Sequence, residues 1–555
     1  MIPITDDTTI AQAFYAAVQA YDALALMAVP ANAARNYYPD GLELSYAQAG
    51  DAVSALAASY RQAGYGYPHR IGLLLESRPE HMLHKLAMNT LGVCCVPVNP
   101  DYRAGELAYL IDHSRIDLLI VLKDKLAVVR EALSTCAHQP AVVTLEDFHS
   151  ALPTAKRARE DAAVHAQMPA SILYTSGTTG RPKGCVLSHE YEVASGAWYA
   201  RQGGLVSIRS REERLYTPLP LFHVNASILS FYCMMLTGNC QIQSDRFRPS
   251  RWWTEVRESR ATIVHYLGVI VPMLLNQPAG KQDKDHGVLR GYGAGVEPQL
   301  HAAFEQRFGF PLLEIWGMTE MVRTFVDNIP PRKVGTRAFG RSGPGLEARI
   351  VDELDHELPD GQPGEMVVRY SEATPRKHFF LGYLDDEKAT EAAWQGGWFH
   401  TGDVVVRAPE DGMLHFVDRR KNIIRRSGEN IAAAEIEAHL LAHPMVAQVA
   451  VMAVPDEVRE EEVLACVVLH TANLSESTGV SGKAALQVQR DAAVKALFEY
   501  CLQGLAYYKA PGWVWLTDSI PTTETQKIQK HRIFPQDRDP RTMPGIYDMR
   551  DLKRR

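Results

Sequence analysis

Apolar and polar positions divide this chain into short apolar runs separated by amphipathic stretches. Residues 70–75 (Arg-Ile-Gly-Leu-Leu-Leu) form an apolar run of strand length, and 79–91 carries Met82, Leu86 and Leu91 at helical spacing. A second run at 93–98 stops at Asn-Pro-Asp, 106–113 has helical spacing, and 116–121 is again strand-like. Repeated strand–helix units with fully apolar strands predict a parallel sheet covered by helices. Residues 122–168, polar and alanine-rich, are expected to lead into a strand at 171–174. Beyond it, Ser188 is a candidate N-cap for a helix over 191–199, and strands are expected at 261–267 and 312–316. From residue 338 the pattern turns β-rich: 346–351 alternates, 360–364 (Asp-Gly-Gln-Pro-Gly) is turn chemistry, and 365–369 is a strand. The C-terminal part carries helices at 431–443 and 491–502, strands at 446–454 and 463–469, and polar loops at 471–483 and 521–527. The expected fold class is α/β. A large N-terminal domain of sheets sandwiched by helices, with a β-rich subdomain, spans 1–418, and a small α+β domain spans 419–555.

Between the strand at 171–174 and the next apolar run lies Tyr-Thr-Ser-Gly-Thr-Thr-Gly-Arg-Pro-Lys-Gly, residues 174–184. Glycines allow backbone N–H groups to turn towards an anion, the Ser and Thr hydroxyls add donors, and Arg181 and Lys183 add charge, so the stretch suits a phosphate. It does not match the P-loop consensus, because Pro182 precedes the lysine and glycine follows it. A flexible Ser/Gly linker is the alternative, but strand-like runs bracket the loop. Several later strands also end in small or polar residues, which is where ligands gather in open α/β sheets.

Composition narrows the function. The 555 residues are too many for one core, and 46% hydrophobic with 22% charged residues is ordinary for a globular protein. The balance of 58 basic against 65 acidic residues, net −7, argues against general binding to nucleic acid or membrane surfaces. The eight cysteines form no Cys-x-x-Cys pair and no zinc spacing, so reduced thiols in a cytoplasmic protein are expected. No apolar run is long enough to span a bilayer, and no secretory signal is seen.

The loop at 174–184, Gly317-Met-Thr-Glu320, Thr401-Gly-Asp403, the block from Asp418 to Glu437 and Lys527 stand in the order seen in the acyl- and aryl-CoA synthetase, adenylation-domain and luciferase superfamily. The resemblance covers nearly the whole chain. The block at 416–430 is most similar to crotonobetaine/carnitine-CoA and medium-chain acyl-CoA ligases. The resemblance implies a two-step reaction. A carboxylate attacks the α-phosphate of ATP to give acyl-AMP and pyrophosphate, and CoA then displaces AMP to form a thioester. ATP, Mg2+, a carboxylic acid and CoA are the expected cofactors and partners, and a homodimer is compatible with it.

Roles follow by resemblance. Thr175, Ser176, Gly177, Thr178, Thr179 and Lys183 look like the grip on the β- and γ-phosphates. Thr319 looks like an α-phosphate ligand and Glu320 like the magnesium ligand. Gly293, Ala294 and Gly295 resemble the adenine shelf, with Trp316, Gly317 and Met318 beside it, although Tyr is more usual at the Trp316 position. Asp403 is expected on the ribose, Arg419 on ribose or phosphate, and His223 between the acid pocket and the nucleotide. Lys527 resembles the catalytic lysine, with Gln526 in place of the common glycine. Lys421 is the expected hinge about which the mobile small domain turns, bringing Ser427, Gly428 and Glu429 to a CoA channel. The acyl pocket is expected from Trp198, Val224, Asn225, Tyr266, Gly268, Val269 and Arg323, where Arg323 or Asn225 would meet a polar group on the acid, such as a second carboxylate.

Taken singly, these residues have blander readings: Glu320 as a helix-start carboxylate, Asp403 as a turn aspartate, the arginines at 419–426 as a solvated face. Loading of a carrier-protein thiol, luciferase-type oxidation and silent nucleotide binding are the competing functions. Lys183, placed at the leaving pyrophosphate, carries a direct test. Its replacement by alanine is expected to slow acyl-AMP formation well beyond thioester formation from supplied acyl-AMP, and equal losses in separately assayed half-reactions would overturn the assignment.

Overall fold

The computed structural model describes residues 1–175, 182–268, 270–296, 298–419, 423–470, 483–521, 528, 530, 533–535 and 538–553. The chain divides into two compact units. The first comprises Met1–Pro100, Leu110–Tyr174 and Gly184–Arg420; the second comprises Asp101–Tyr109, Thr175–Lys183 and Lys421–Arg555.

Among the described residues the first unit is built on three sheets. One has seven strands in the order Gly382–Tyr383, Lys183–Ser188, Pro169–Thr175, Cys94–Pro97, Arg70–Leu74, Leu118–Val121 and Ala141–Thr144. Its Cys94–Pro97, Arg70–Leu74, Leu118–Val121 and Ala141–Thr144 strands pair in parallel, as their apolar runs predict. Residues 122–168 are more structured than expected, with a helix at Leu126–Leu133 and the edge strand Ala141–Thr144. Both are short, eight and four residues, so the periodic signal is weak. The second sheet has eight strands and places Arg290–Ala294 parallel between Ile263–Leu267 and Leu312–Met318. The third is the β-rich subdomain, with antiparallel pairing of Glu347–Val351 to Gly364–Arg369 and of Gly364–Arg369 to Trp398–Arg407. The second unit holds a six-stranded sheet in which Val446–Asp456 and Glu460–Leu469 form a long antiparallel pair; its helix Lys483–Gly504 is longer than expected.

The helix His189–Ala200 sits in the core of the first unit, with ten of its twelve residues buried. Ser188 caps it as expected, its hydroxyl accepting from Tyr191 N at 3.0 Å. Burial on all sides forces Glu192 to find a counter-charge. Lys85, from the helix Pro79–Thr90, supplies it, and both side chains have 0% exposure. Ser171 also donates to Glu192, and Lys85 reaches the Tyr232 hydroxyl at 3.4 Å. Removing one partner strands the other charge in the core. Glu192→Leu alone is expected to cost about 3–5 kcal/mol, and Lys85→Met/Glu192→Leu clearly less, as read by denaturant unfolding of the first unit. A double variant at least as destabilised as the single one would contradict this account.

Candidate active site

The parallel strands Ile263–Leu267, Arg290–Ala294 and Leu312–Met318 end side by side, with Tyr266 opposite Gly293 and Leu267 opposite Ala294. This brings the expected shelf, the acyl-wall residues and Gly317-Met-Thr-Glu320 to one sheet edge. The backbones approach closely there. A Cβ at Gly293 would stand 2.1 Å from the Tyr266 carbonyl oxygen, and one at Gly268 would stand 1.8 Å from that of Gly295. Only glycine fits either position.

Glu314, unremarked in the sequence, holds this shelf from beneath. Its carboxylate accepts from Gly295 N at 3.0 Å, from Val296 N at 3.2 Å and from the Tyr266 hydroxyl at 2.7 Å. Burial pushes its carboxyl up to about 7, against the pull of those donors.

The strand Leu312–Met318 does not simply end at Gly317-Met-Thr-Glu320. It turns back as Met321–Val326, with Met318 paired to Met321, so Thr319 and Glu320 occupy the tip of a two-residue hairpin. Two phenols fix that tip. Tyr191 donates to the Thr319 carbonyl at 2.7 Å, and Tyr383 donates to Glu320 Oε1 at 2.8 Å. Tyr383 pairs with Cys185, so Glu320 lies by the strand that leaves the phosphate-type loop. A buried carboxylate oriented by a phenol suits an oxygen-seeking cation such as Mg2+.

Trp316 and Asp403, expected at separate parts of a nucleotide, are joined. The indole N–H of Trp316 donates to Asp403 Oδ2 at 2.8 Å, and Asp403 is 3% exposed. Thr401 accepts from Asp403 N at 3.1 Å and steadies the turn.

His223 donates its backbone N–H to the Pro220 carbonyl at 3.1 Å and packs its ring against Phe222. Directly after Val224 comes a π-helical turn, Asn225–Ser230, a local widening common at functional sites. Asn225 contacts His265, which in turn contacts Tyr199. Arg323, expected to meet the acid, lies beside Trp198 and Tyr370. It is 7% exposed, its guanidinium lies 4.8 Å from the Trp198 ring centroid and 4.7 Å from that of Tyr370, and it donates to the Gly345 carbonyl and to His378. Trp198 donates to the Thr324 carbonyl at 3.0 Å.

In the second unit Ser427 and Gly428 both have positive φ, 52° and 85°, between the paired residues Arg426 and Glu429. This is a two-residue hairpin, as the polar turn chemistry suggests. Thr175 ends one strand and Lys183 begins the next. Ser176, Gly177, Thr178, Thr179, Val269, Lys421 and Lys527, and the side chain of Arg419, lie outside the described residues.

Asp6, Glu190 and His378 place ligand-type atoms within 4.8 Å of one another. Arg323 can only donate to His378 Nδ1, so Nε2 carries the proton and serves Asp6 and Glu190. Ligating a metal through Nε2 would move that proton to Nδ1, against the guanidinium. Lys377 also meets Asp6 at 2.6 Å, and the group is an ion-pair network. Seven of the eight cysteines are buried, none of the eight forms a disulfide, and burial raises the Cys94, Cys95, Cys233, Cys240, Cys466 and Cys501 thiols, which makes them inert.

Comparison with known proteins adds independent findings. The family model for AMP-binding enzymes matches residues 15–384, and that for the AMP-binding enzyme C-terminal domain matches residues 435–527. The chain is 31% identical over 508 residues to sulfoacetate–CoA ligase of Cupriavidus necator, covering 89% of this chain and 93% of that protein. It is 28% identical over 507 residues to crotonobetaine/carnitine–CoA ligase of Salmonella paratyphi A, covering 88% and 93%. A malonyl-CoA ligase structure with methylmalonyl-CoA and AMP bound superposes with a TM-score of 0.69 at 26% identity, covering 86% of this chain and 95% of that one.

The Glu314 anchor makes two measurable demands. Its folded-state carboxyl titrates at about 7, above the ordinary 4.5, so the fold favours the protonated form. That stabilisation is full below pH 4.5 and is lost as pH rises through 7. The stability advantage of wild type over Glu314→Gln should therefore shrink between pH 5 and 7.5 in denaturant titrations, and a pH-independent difference would refute it. The amide should also weaken nucleotide binding by roughly 5- to 100-fold, by leaving shelf donors unmatched.

Proposed function

This chain belongs to the AMP-binding enzyme family, and we propose that its reaction is the ATP-dependent ligation of a small organic acid to CoA. It is an AMP-forming acyl-CoA synthetase that uses ATP, Mg2+ and CoA. The observation that carries the residue-level reading is the hairpin tip: Thr319 and Glu320 held by Tyr191 and Tyr383, beside the glycine shelf. Those groups are pre-set before any substrate arrives, as stabilisation of developing charge requires.

In the first half-reaction the acid's carboxylate oxygen forms a bond to the α-phosphorus of ATP, and the bond to the pyrophosphate oxygen breaks. Thr319 meets the α-phosphate, while Thr175, Ser176, Gly177, Thr178, Thr179 and Lys183 hold the departing pyrophosphate. Gly293, Ala294 and Gly295 back the adenine, and Asp403, oriented by the Trp316 indole, accepts from the ribose hydroxyls. Glu320 would hold Mg2+, which supplies positive charge to the phosphates. Lys527 bridges the carboxylate and α-phosphate. In the second half-reaction the CoA sulfur bonds to the acyl carbon and the carbon–oxygen bond to AMP breaks, with Ser427, Gly428 and Glu429 beside the incoming thiol after a turn about Lys421. The domain boundary near 418 and a cytoplasmic setting belong to the same reading. The second rests on eight cysteines with no disulfide among them; no helix among the described residues is long and apolar enough to cross a membrane.

The test is AMP release with ATP, Mg2+ and a panel of acids, with and without CoA. CoA-dependent release of AMP with matching thioester is the expected result, and Lys527→Ala should slow acyl-AMP formation by roughly 10²- to 10³-fold. Release indifferent to CoA but stimulated by a carrier-protein thiol would overturn the ligase assignment.

A further inference from the structure

Asn225 opens the π-helical turn after His223, is half-buried and contacts His265 in the strand Ile263–Leu267, which pairs with the strand that carries the glycine shelf. Its side chain contacts His265 Nδ1 at 2.7 Å, and His265 Nε2 lies 3.1 Å from the Tyr199 hydroxyl. His265 and Tyr199 are both fully buried. Burial holds His265 neutral, with its imidazole pushed down to about 3.

Hydrogen-bond arithmetic then fixes every proton in the chain of three. A buried phenol must donate, and among the described residues the Tyr199 hydroxyl has no acceptor other than His265 Nε2. Nε2 is therefore the unprotonated nitrogen, and the single imidazole proton sits on Nδ1. Nδ1–H can be met only by an acceptor, so Asn225 turns its carbonyl Oδ1 to the histidine. The Nδ2 amine is left facing away, and among the described residues it has no partner. Arg323, the other polar candidate, donates to Gly345 and His378 and lies against two aromatic rings, which leaves only its buried Nε–H without a partner among the described residues.

We infer that Tyr199 and His265 are positioning residues that set Asn225 as an N–H donor to the acyl group. The enzyme thereby selects acids whose distal end carries a hydrogen-bond acceptor, such as a carboxylate, sulfonate or carbonyl oxygen, over acids ending in a methyl or a quaternary ammonium. This rests on the ligase reading and adds the polarity of its acid pocket. A quaternary ammonium has no acceptor to offer the amide, and a methyl leaves the amide desolvated and unmatched.

The experiment compares chain-length-matched acids ending in carboxylate, methyl or trimethylammonium, by CoA-dependent AMP release with the full-length enzyme. Wild type should show the highest kcat/KM for the carboxylate-ended acid. Asn225→Leu should lower that value by roughly 10- to 100-fold, the worth of a hydrogen bond to a charged group. Its kcat/KM for the methyl-ended acid should rise, because the unmatched amide is gone, and that turnover doubles as the control for folding. Asn225→Asp should turn the preference towards trimethylammonium. Tyr199→Phe, which frees the imidazole tautomer, should raise KM for the carboxylate-ended acid with a smaller change in kcat. A carboxylate preference that survives Asn225→Leu, or a wild type that prefers the methyl or ammonium end, would overturn the inference while leaving the ligase reading intact. Wild type inactive on every acid would overturn the ligase reading itself and this inference with it.

Discussion

Lys85 and Glu192 face each other where neither meets water, and much of the first unit is arranged around that pair. An uncompensated charge in such a place is costly, so the helices Pro79–Thr90 and His189–Ala200 are held in one relation. The second helix then acts as a ruler. Tyr191 reaches the Thr319 carbonyl, Trp198 the Thr324 carbonyl and Tyr199 the His265 ring. One buried rod thus touches the Thr319–Glu320 hairpin at its tip, the returning arm of that hairpin and a nearby strand of the same sheet. A shift of this helix would move all three together.

The site uses buried carboxylates in three different ways. Glu192 is neutralised by a cation, Glu314 collects backbone N–H groups and a phenol, and Asp403 takes an indole N–H. Each is buried, and each has the donors that burial demands. The result is a set of polar groups each held in one orientation by its donors. The proposed acid pocket follows the same logic in neutral form, through Tyr199, His265 and Asn225, where tautomer replaces charge as the thing being fixed.

Much of this could be read along the chain. Glycine-rich Arg290–Ala294 is legible because the backbone itself demands glycine there. The parallel strands are legible because burial on both faces leaves continuous apolar runs. Glu314 was invisible: a glutamate inside Leu-Leu-Glu-Ile-Trp gives no local sign that it faces three donors. The returning strand Met321–Val326 was equally hidden, since a two-residue turn of Thr and Glu carries none of the usual glycine or asparagine signals. Arg323 shows how little a cation's place along the chain says about what it touches. A cation near an expected pocket invites a ligand, yet its surroundings are two aromatic faces, a carbonyl and a histidine.

What the sequence determined by itself was whatever depends on neighbours along the chain: periodicity, the Ser188 cap, the glycine positions, the ordered motifs and hence the family. What tertiary structure alone decided was pairing at a distance. Lys85 meets Glu192 across 107 positions, Trp316 meets Asp403 across 87, and His265 meets Asn225 across 40. Those partners are chosen because burial removes water as the alternative donor or acceptor. Which group replaces water is a property of the packed core.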